Sequence, residues 1–199
     1  PSERSQMEMS YGTSPVTVLT LIDNILAVGT ASGVVVLWDA EKFERLFICV
    51  DHALSISAIL ADGDETIISD VVGNVTHHDR LCQKLKNRIK LSDSVHHLFR
   101  LSPKKFVGFT PNLTVWENGK PVKTFDAISI DPHPICAVKL PEMIVIGSRN
   151  STKLMFVFLD SLLFPKEIDS LDAPPISIVC CGKKFLVLTQ KGTVYGVGS

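Results

Sequence analysis

The sequence repeats itself about every 40 residues, and a period of that length confines the chain to a series of small equivalent units. Residues 25–39 read ILAVGTASGVVVLWD: an apolar run, a small polar turn carrying Gly33, and a second apolar run that closes on Trp38-Asp39. Residues 67–79 (IISDVVGNVTHHD) follow the same grammar, with Gly73 and Asp79 each 40 positions later. Residues 106–117 (FVGFTPNLTVWE) end on Trp116-Glu117, and residues 143–160 (MIVIGSRNSTKLMFVFLD) reach Asp160 after a longer turn. Residues 185–198 (FLVLTQKGTVYGVG) carry Gly192 at the turn position. Counted from Asp39, the matching positions are 79, 117, 160 and 198, in steps of 40, 38, 43 and 38.

Each unit has a further apolar segment on either side of this pair. The pattern predicts leading strands at Val16–Leu21, Ser57–Leu60, Val95–Leu101, Ile135–Leu140 and Ile176–Cys180. Trailing strands are predicted at Leu46–Val50, Leu85–Leu91, Val122–Phe125 and Lys166–Leu171. Val, Ile, Phe and Thr dominate, Gly, Asn, Asp and Pro punctuate, and no segment keeps a helical period for three turns. Four short strands per unit is the arithmetic of a propeller blade. The expected fold is therefore all-β: a β-propeller of about five four-stranded antiparallel blades, or part of a larger propeller. Residues 1–199 read as a single domain, with blade cores near 16–50, 55–91, 95–125, 135–171 and 176–199. A blade packs between two neighbours, so its inner strands are apolar on both faces, and Trp38 and Trp116 are expected between blades. The last unit stops after its third strand, and Met7–Tyr11 stands in the phase of the missing fourth, beside Gly192–Val197. Closure by that segment gives a ring of five. The alternatives are an open ring completed by strands from a partner and one section of a longer ring.

With LAVGTASGVVVLWD, Trp116 in the same slot and His52 lying 27 residues before Asp79, the chain resembles the Trp-Asp (WD) repeat family of β-propellers. The resemblance covers nearly the whole chain, with degenerate repeats. In that family a Gly-His opens the repeat and a Trp-Asp ends its third strand. Here His52 follows Asp51, His133 follows Pro132, and the Trp slot holds His78, Leu159 and Val197 in three of five units. By sequence the family's His–Ser/Thr–Asp–Trp hydrogen-bond network is complete in no unit. The resemblance implies a non-catalytic scaffold for protein partners, a subunit of a larger assembly.

The net charge of −1 does not call for nucleic acid or an anionic membrane. Five cysteines, with no CxxC pair, read as reduced thiols of a cytoplasmic or nuclear protein. The opening segment PSERSQMEMSYG lacks the pattern of a secretion signal, and no apolar run is long enough to span a membrane. No GxSxG, GxGxxG, phosphate loop or HExxH is present, and no catalytic residue or cofactor is expected.

The pairs His77-His78 and His96-His97 invite a metal, but neighbours on a strand point to opposite faces, and no Cys or carboxylate is close in sequence at ligand spacing. No metal site is expected. Asp62, Asp64 and Glu65 read as hairpin-turn residues, and Asn74, Asn112 and Asn150 share one turn position, which explains them without glycans. In KLKNRIKL, Lys84, Lys86, Arg88 and Lys90 form a basic stripe on an outermost strand, a known guard against edge pairing. Its functional alternative is a phosphoinositide- or RNA-associated surface; a channel-centred enzyme is a further alternative. For a scaffold the contacts belong to the loops of one rim. The expected partner-binding residues are Arg149, Asn150 and Lys153 of the enlarged turn SRNSTK, with His133 and His52.

Overall fold

The computed structural model describes residues 12–95, 97–109, 112–125, 134–148, 150–159, 166–169, 171–181 and 184–197. They form five antiparallel sheets, and none of them lies in a helix, so no helix is long and apolar enough to cross a membrane. The first sheet is β1 (Val16–Ile22), β2 (Ile25–Thr30), β3 (Val35–Asp39) and β4 (Arg45–Cys49), hydrogen-bonded in that order. The second repeats the meander with β5 (Ile56–Asp62), β6 (Glu65–Asp70), β7 (Asn74–Asp79) and β8 (Leu85–Lys90). The third has β9 (His97–Ser102), β10 (Lys105–Phe109), β11 (Leu113–Glu117) and β12 (Lys120–Phe125). In the fourth are β13 (Pro134–Lys139), β14 (Met143–Ser148), β15 (Lys153–Phe158) and β16 (Lys166–Asp169). The fifth has three strands, β17 (Pro175–Cys181), β18 (Lys184–Thr189) and β19 (Val194–Val197). The expected closing strand Met7–Tyr11 lies outside the described residues.

The repeat seen in the sequence reappears as repeated backbone geometry. A register shift follows the first residue of β1, β5, β13 and β17, the same place in four sheets. A second shift marks the Trp slot, at Leu37/Trp38 and at His77/His78. The Asp after that slot holds the next turn: Asp39 Oδ1 accepts from the Glu41 and Lys42 amides, and Asp79 Oδ1 from those of Gln83 and Lys84.

Gly33 and Gly73 turn the chain between second and third strands at φ +85° and +84°. A Cβ on Gly73 would stand 2.4 Å from the Asp93 carbonyl oxygen, a backbone atom with no room to withdraw. Gly73→Ala is therefore expected to cost more than about 1 kcal/mol, seen as a lower urea midpoint. Gly63→Ala, at φ +59° with nothing within 4 Å, is the control that carries the conformational cost without the clash. Equal losses at the two positions would show that the carbonyl moves aside.

The chain divides into two compact units, one built on the first and second sheets with part of the third, the other on the fourth and fifth with the rest. In the first unit, Ile25, Ala27, Val35, Leu37 and Cys49 pack on Ile56, Ile59 and Ile68 of the second sheet. The second sheet's other face joins Val75 and Ile67 to Leu98, Phe106 and Trp116. In the second unit, Val145, Leu154 and Phe156 meet Ile178, Phe185 and Val187. The middle strands β6 and β14 are buried on both faces, whereas β2 and β18 alternate between buried and open residues. Among the described residues of its own unit, each of the first and fifth sheets is covered on one face.

Candidate functional site

At the junction of the first two sheets lies a buried polar chain. Asp70 ends β6, and its Oδ2 lies 3.0 Å from His52 Nδ1; His52 Nε2 lies 2.8 Å from Thr76 Oγ1 on β7. The Thr76 hydroxyl is in turn 2.9 Å from His78 Nε2. An ionised carboxylate only accepts, which fixes the proton order: His52 Nδ1–H donates to Asp70, Thr76 O–H to His52 Nε2, and His78 Nε2–H to Thr76. The Asn74 amide and side chain and the Val72 amide also donate to Asp70. Burial pushes the Asp70 carboxyl up, but the hydrogen bonds of His52 and Asn74 outweigh it and hold it below its ordinary value.

This is the network that the sequence reading found complete in no unit. The second sheet has an equivalent chain, in which His78 takes the place of the Trp. His52, expected as a partner contact, is buried with both ring nitrogens engaged and faces no solvent. In the third sheet Trp116 fills the slot, fully buried, and its Nε1 donates to Ser92 at the position equivalent to His52. In the fifth sheet Asp172 stands there instead and accepts from the Thr189 and Thr193 hydroxyls.

His77 and His78 do point to opposite faces. The His77 ring meets Phe106 edge-on at 5.9 Å and lies 3.6 Å from Glu65. The His78 ring faces the first sheet, where Cys49 Sγ lies 3.9 Å and Asp51 Oδ2 3.8 Å from its Nε2. Cys82, also buried, donates a hydrogen bond to the Cys49 sulfur; this contact, with His78 beside it, lowers the Cys49 thiol to about 5 against its burial. Cys82 in turn keeps its proton. Sequence reasoning did not join Cys49 to His78 because the two come from neighbouring repeats; the one available signal was that Cys49 pairs with Val35 on the inward face.

The outer face of the first sheet is apolar and open. Val16, Leu19 and Leu21 are 61%, 64% and 64% exposed, and no described residue of that unit covers them. Val16 and Leu19, with Leu26, Val28, Val36 and Trp38, border a groove of about 280 Å³. Trp38, expected between sheets, lies half-exposed in this groove. The same motif position is buried at Trp116 because the third sheet's Trp side meets the second sheet, whereas Trp38 faces away from it. In the second unit, Val179, Leu186 and Val194 form a similar open face on the fifth sheet.

Of the other residues singled out, Arg149 and His133 lie outside the described residues. Asn150 is exposed in the turn before β15, and Lys153 opens that strand, exposed, its amide bonded to Ser151 Oγ. The basic stripe is largely partnered within its own chain: Lys86 with Asp64 and Glu65, Arg88 with Asp51, and Lys90 with the Val72 carbonyl.

Among solved structures the chain is similar to the WD40 β-propeller domain of Doa1, with TM-score 0.68 at 14% identity over 89% of this chain and 62% of that one. The likeness extends over its small antiparallel sheets. The fold is a β-propeller's. A chain of the mitotic checkpoint complex matches with TM-score 0.68 at 13% identity, over 96% of this chain and 63% of that one. The β-propeller domain of Myceliophteria thermophila Cps50 (Swd1) matches with TM-score 0.68 at 14% identity, over 94% and 66%. The chain thus spans about three fifths of the length of the propellers it matches. No family model and no curated protein matches the sequence. The likeness establishes the fold, and each sheet is a propeller blade.

Proposed function

We propose that the chain is a non-catalytic protein-interaction scaffold, a subunit of a larger assembly. The observation that carries this reading is the open apolar face of the first blade. Large contiguous apolar patches on soluble domains mark surfaces that another protein covers. Here a flat sheet presents Leu19, Leu21, Val28 and Trp38 together, a shape suited to a partner's sheet or strand. The loop residues Asn150 and Lys153, with Arg149 and His133, form the second proposed contact surface, on the ground that loops carry recognition on a rigid frame. The internal pairing of the basic stripe argues against phosphate or RNA as the principal ligand.

The test uses the protein that co-purifies with the native chain, once identified and produced separately. Leu19→Asp combined with Leu21→Asp is expected to abolish that binding while the urea midpoint of the isolated variant stays unchanged, since both side chains are open to water. Binding that survives this change but is lost on Arg149→Ala or Lys153→Ala moves the contact to the loops. Binding lost only on Lys84→Glu with Lys86→Glu, and steeply salt-dependent, favours an anionic ligand and overturns the proposal.

A further inference from the structure

We propose that Cys49, Asp51 and His78, where the first and second blades meet, form a three-residue site for one zinc-type transition-metal ion, with the fourth position open to solvent on the Asp51 side. Tetrahedral zinc, with Zn–S near about 2.3 Å and Zn–N or Zn–O near about 2.0 Å, sets its donors roughly 3.3–3.6 Å apart. The three separations here are 3.5 Å for Cys49 Sγ to Asp51 Oδ2, 3.9 Å for Cys49 Sγ to His78 Nε2, and 3.8 Å for His78 Nε2 to Asp51 Oδ2. Three donors of three chemical kinds already stand at the edges of one tetrahedral face, so side-chain shifts of a few tenths of an ångström suffice. Thiolate with imidazole and carboxylate selects zinc or cobalt over magnesium and calcium, which prefer oxygen alone.

The surroundings fit an ion as well. Asp51 is half-buried and offers a route in from solvent, while Cys49 and His78 are buried. Arg88 Nη2 holds the other carboxylate oxygen of Asp51, Oδ1, at 3.0 Å, leaving Oδ2 turned to the cluster. Binding exchanges the His78–Thr76 hydrogen bond for a metal bond and moves the His78 proton from Nε2 to Nδ1, a buried nitrogen that has no partner among the described residues, while Thr76 still donates to His52, so the chain from Thr76 to Asp70 persists. Cys82 touches the Cys49 sulfur from within the same core cluster. This inference rests on different residues from the protein-binding proposal and stands or falls separately.

The experiment is a titration of Co²⁺ into the metal-free 199-residue chain, followed by displacement with Zn²⁺. One equivalent is expected to bring up the tetrahedral cobalt bands and a thiolate-to-cobalt charge-transfer band, both removed by zinc. Cys49→Ser should abolish the charge-transfer band contributed by that sulfur and weaken binding. Asp51→Asn, at the solvent edge, should keep the fold and weaken cobalt binding about 10-fold or more, so it carries the test if Cys49→Ser fails to fold. Arg88→Ala should weaken it about 10-fold through Asp51. Absence of tetrahedral bands at stoichiometric cobalt, or cobalt affinity unchanged in Asp51→Asn, overturns the proposal. So does a Cys49–Cys82 disulfide in protein purified without reductant, revealed by loss of two titratable thiols.

Discussion

Trp116→Ala is expected to cost about 3–5 kcal/mol, a large share of the total stability of an ordinary domain. The indole is fully buried among Val75, Leu91, Leu98 and Phe106, and its removal leaves a cavity that a two-sheet junction cannot close by side-chain motion alone. Its Nε1–H donates to Ser92, so Trp116→Phe separates the effects: the ring volume is largely kept, and the loss should fall to about 1–2 kcal/mol. Trp38 supplies the internal comparison, because it occupies the equivalent slot on a face that is open. Trp38→Ala should cost no more than about 1–2 kcal/mol, in line with partial burial. Urea unfolding of the three variants measures this directly. Equal losses at Trp38 and Trp116 would show that the outer face of the first blade is covered in solution.

That contrast shows how far the sequence reading reached. Strand positions were legible because they depend on local patterns: apolar pairs divided by Gly33, Gly73 and Gly192, with an Asp closing the third strand in the first two blades. The apolar runs on either side of the turns in residues 25–39, 67–79 and 106–117 all fall on strands. What covers a strand is not local. Trp38 and Trp116 share one motif slot, and nothing in the flanking residues tells which of them meets a neighbouring sheet.

The polar residues were misread for a related reason. His52 follows a trailing strand at a loop position, where a polar residue is normally solvated. Its burial follows from partners 18 and 24 residues away, Asp70 and Thr76. His78 counted as a loss of the family's Trp, yet its ring fills that slot and completes the hydrogen-bond chain. The slot selects a planar N–H donor for a buried hydroxyl: His78 meets that of Thr76 and Trp116 that of Ser92. Cys49 belongs to the repeat before that of His78, so no spacing rule within one segment could join the two.

Asp70→Asn is expected to cost about 2–3 kcal/mol at neutral pH, and Asp70→Ala about 3–5 kcal/mol. The carboxylate accepts from His52 Nδ1, from both nitrogens of Asn74 and from the Val72 amide, all donors. Asparagine at this site turns an –NH₂ group toward at least one of them, and alanine leaves every one unmet in a buried site. The pH dependence follows from the lowered carboxyl. In the unfolded chain the group titrates near 3.8, and in the folded protein below that value. A depressed carboxyl contributes stability that is fully present above the unfolded value and is lost as pH falls through the folded one. The stability difference between native protein and Asp70→Asn should therefore be constant above about pH 5 and shrink steadily below about pH 4. Asp39, Glu65 and Asp172 are also held low, and they contribute equally to both curves, so the subtraction isolates Asp70. Urea midpoints collected from pH 7 down to about pH 2.5 supply the curves. A difference that stays flat across the acid limb would mean that Asp70 titrates at the same pH folded and unfolded, and that its hydrogen bonds give the ionised form no net preference.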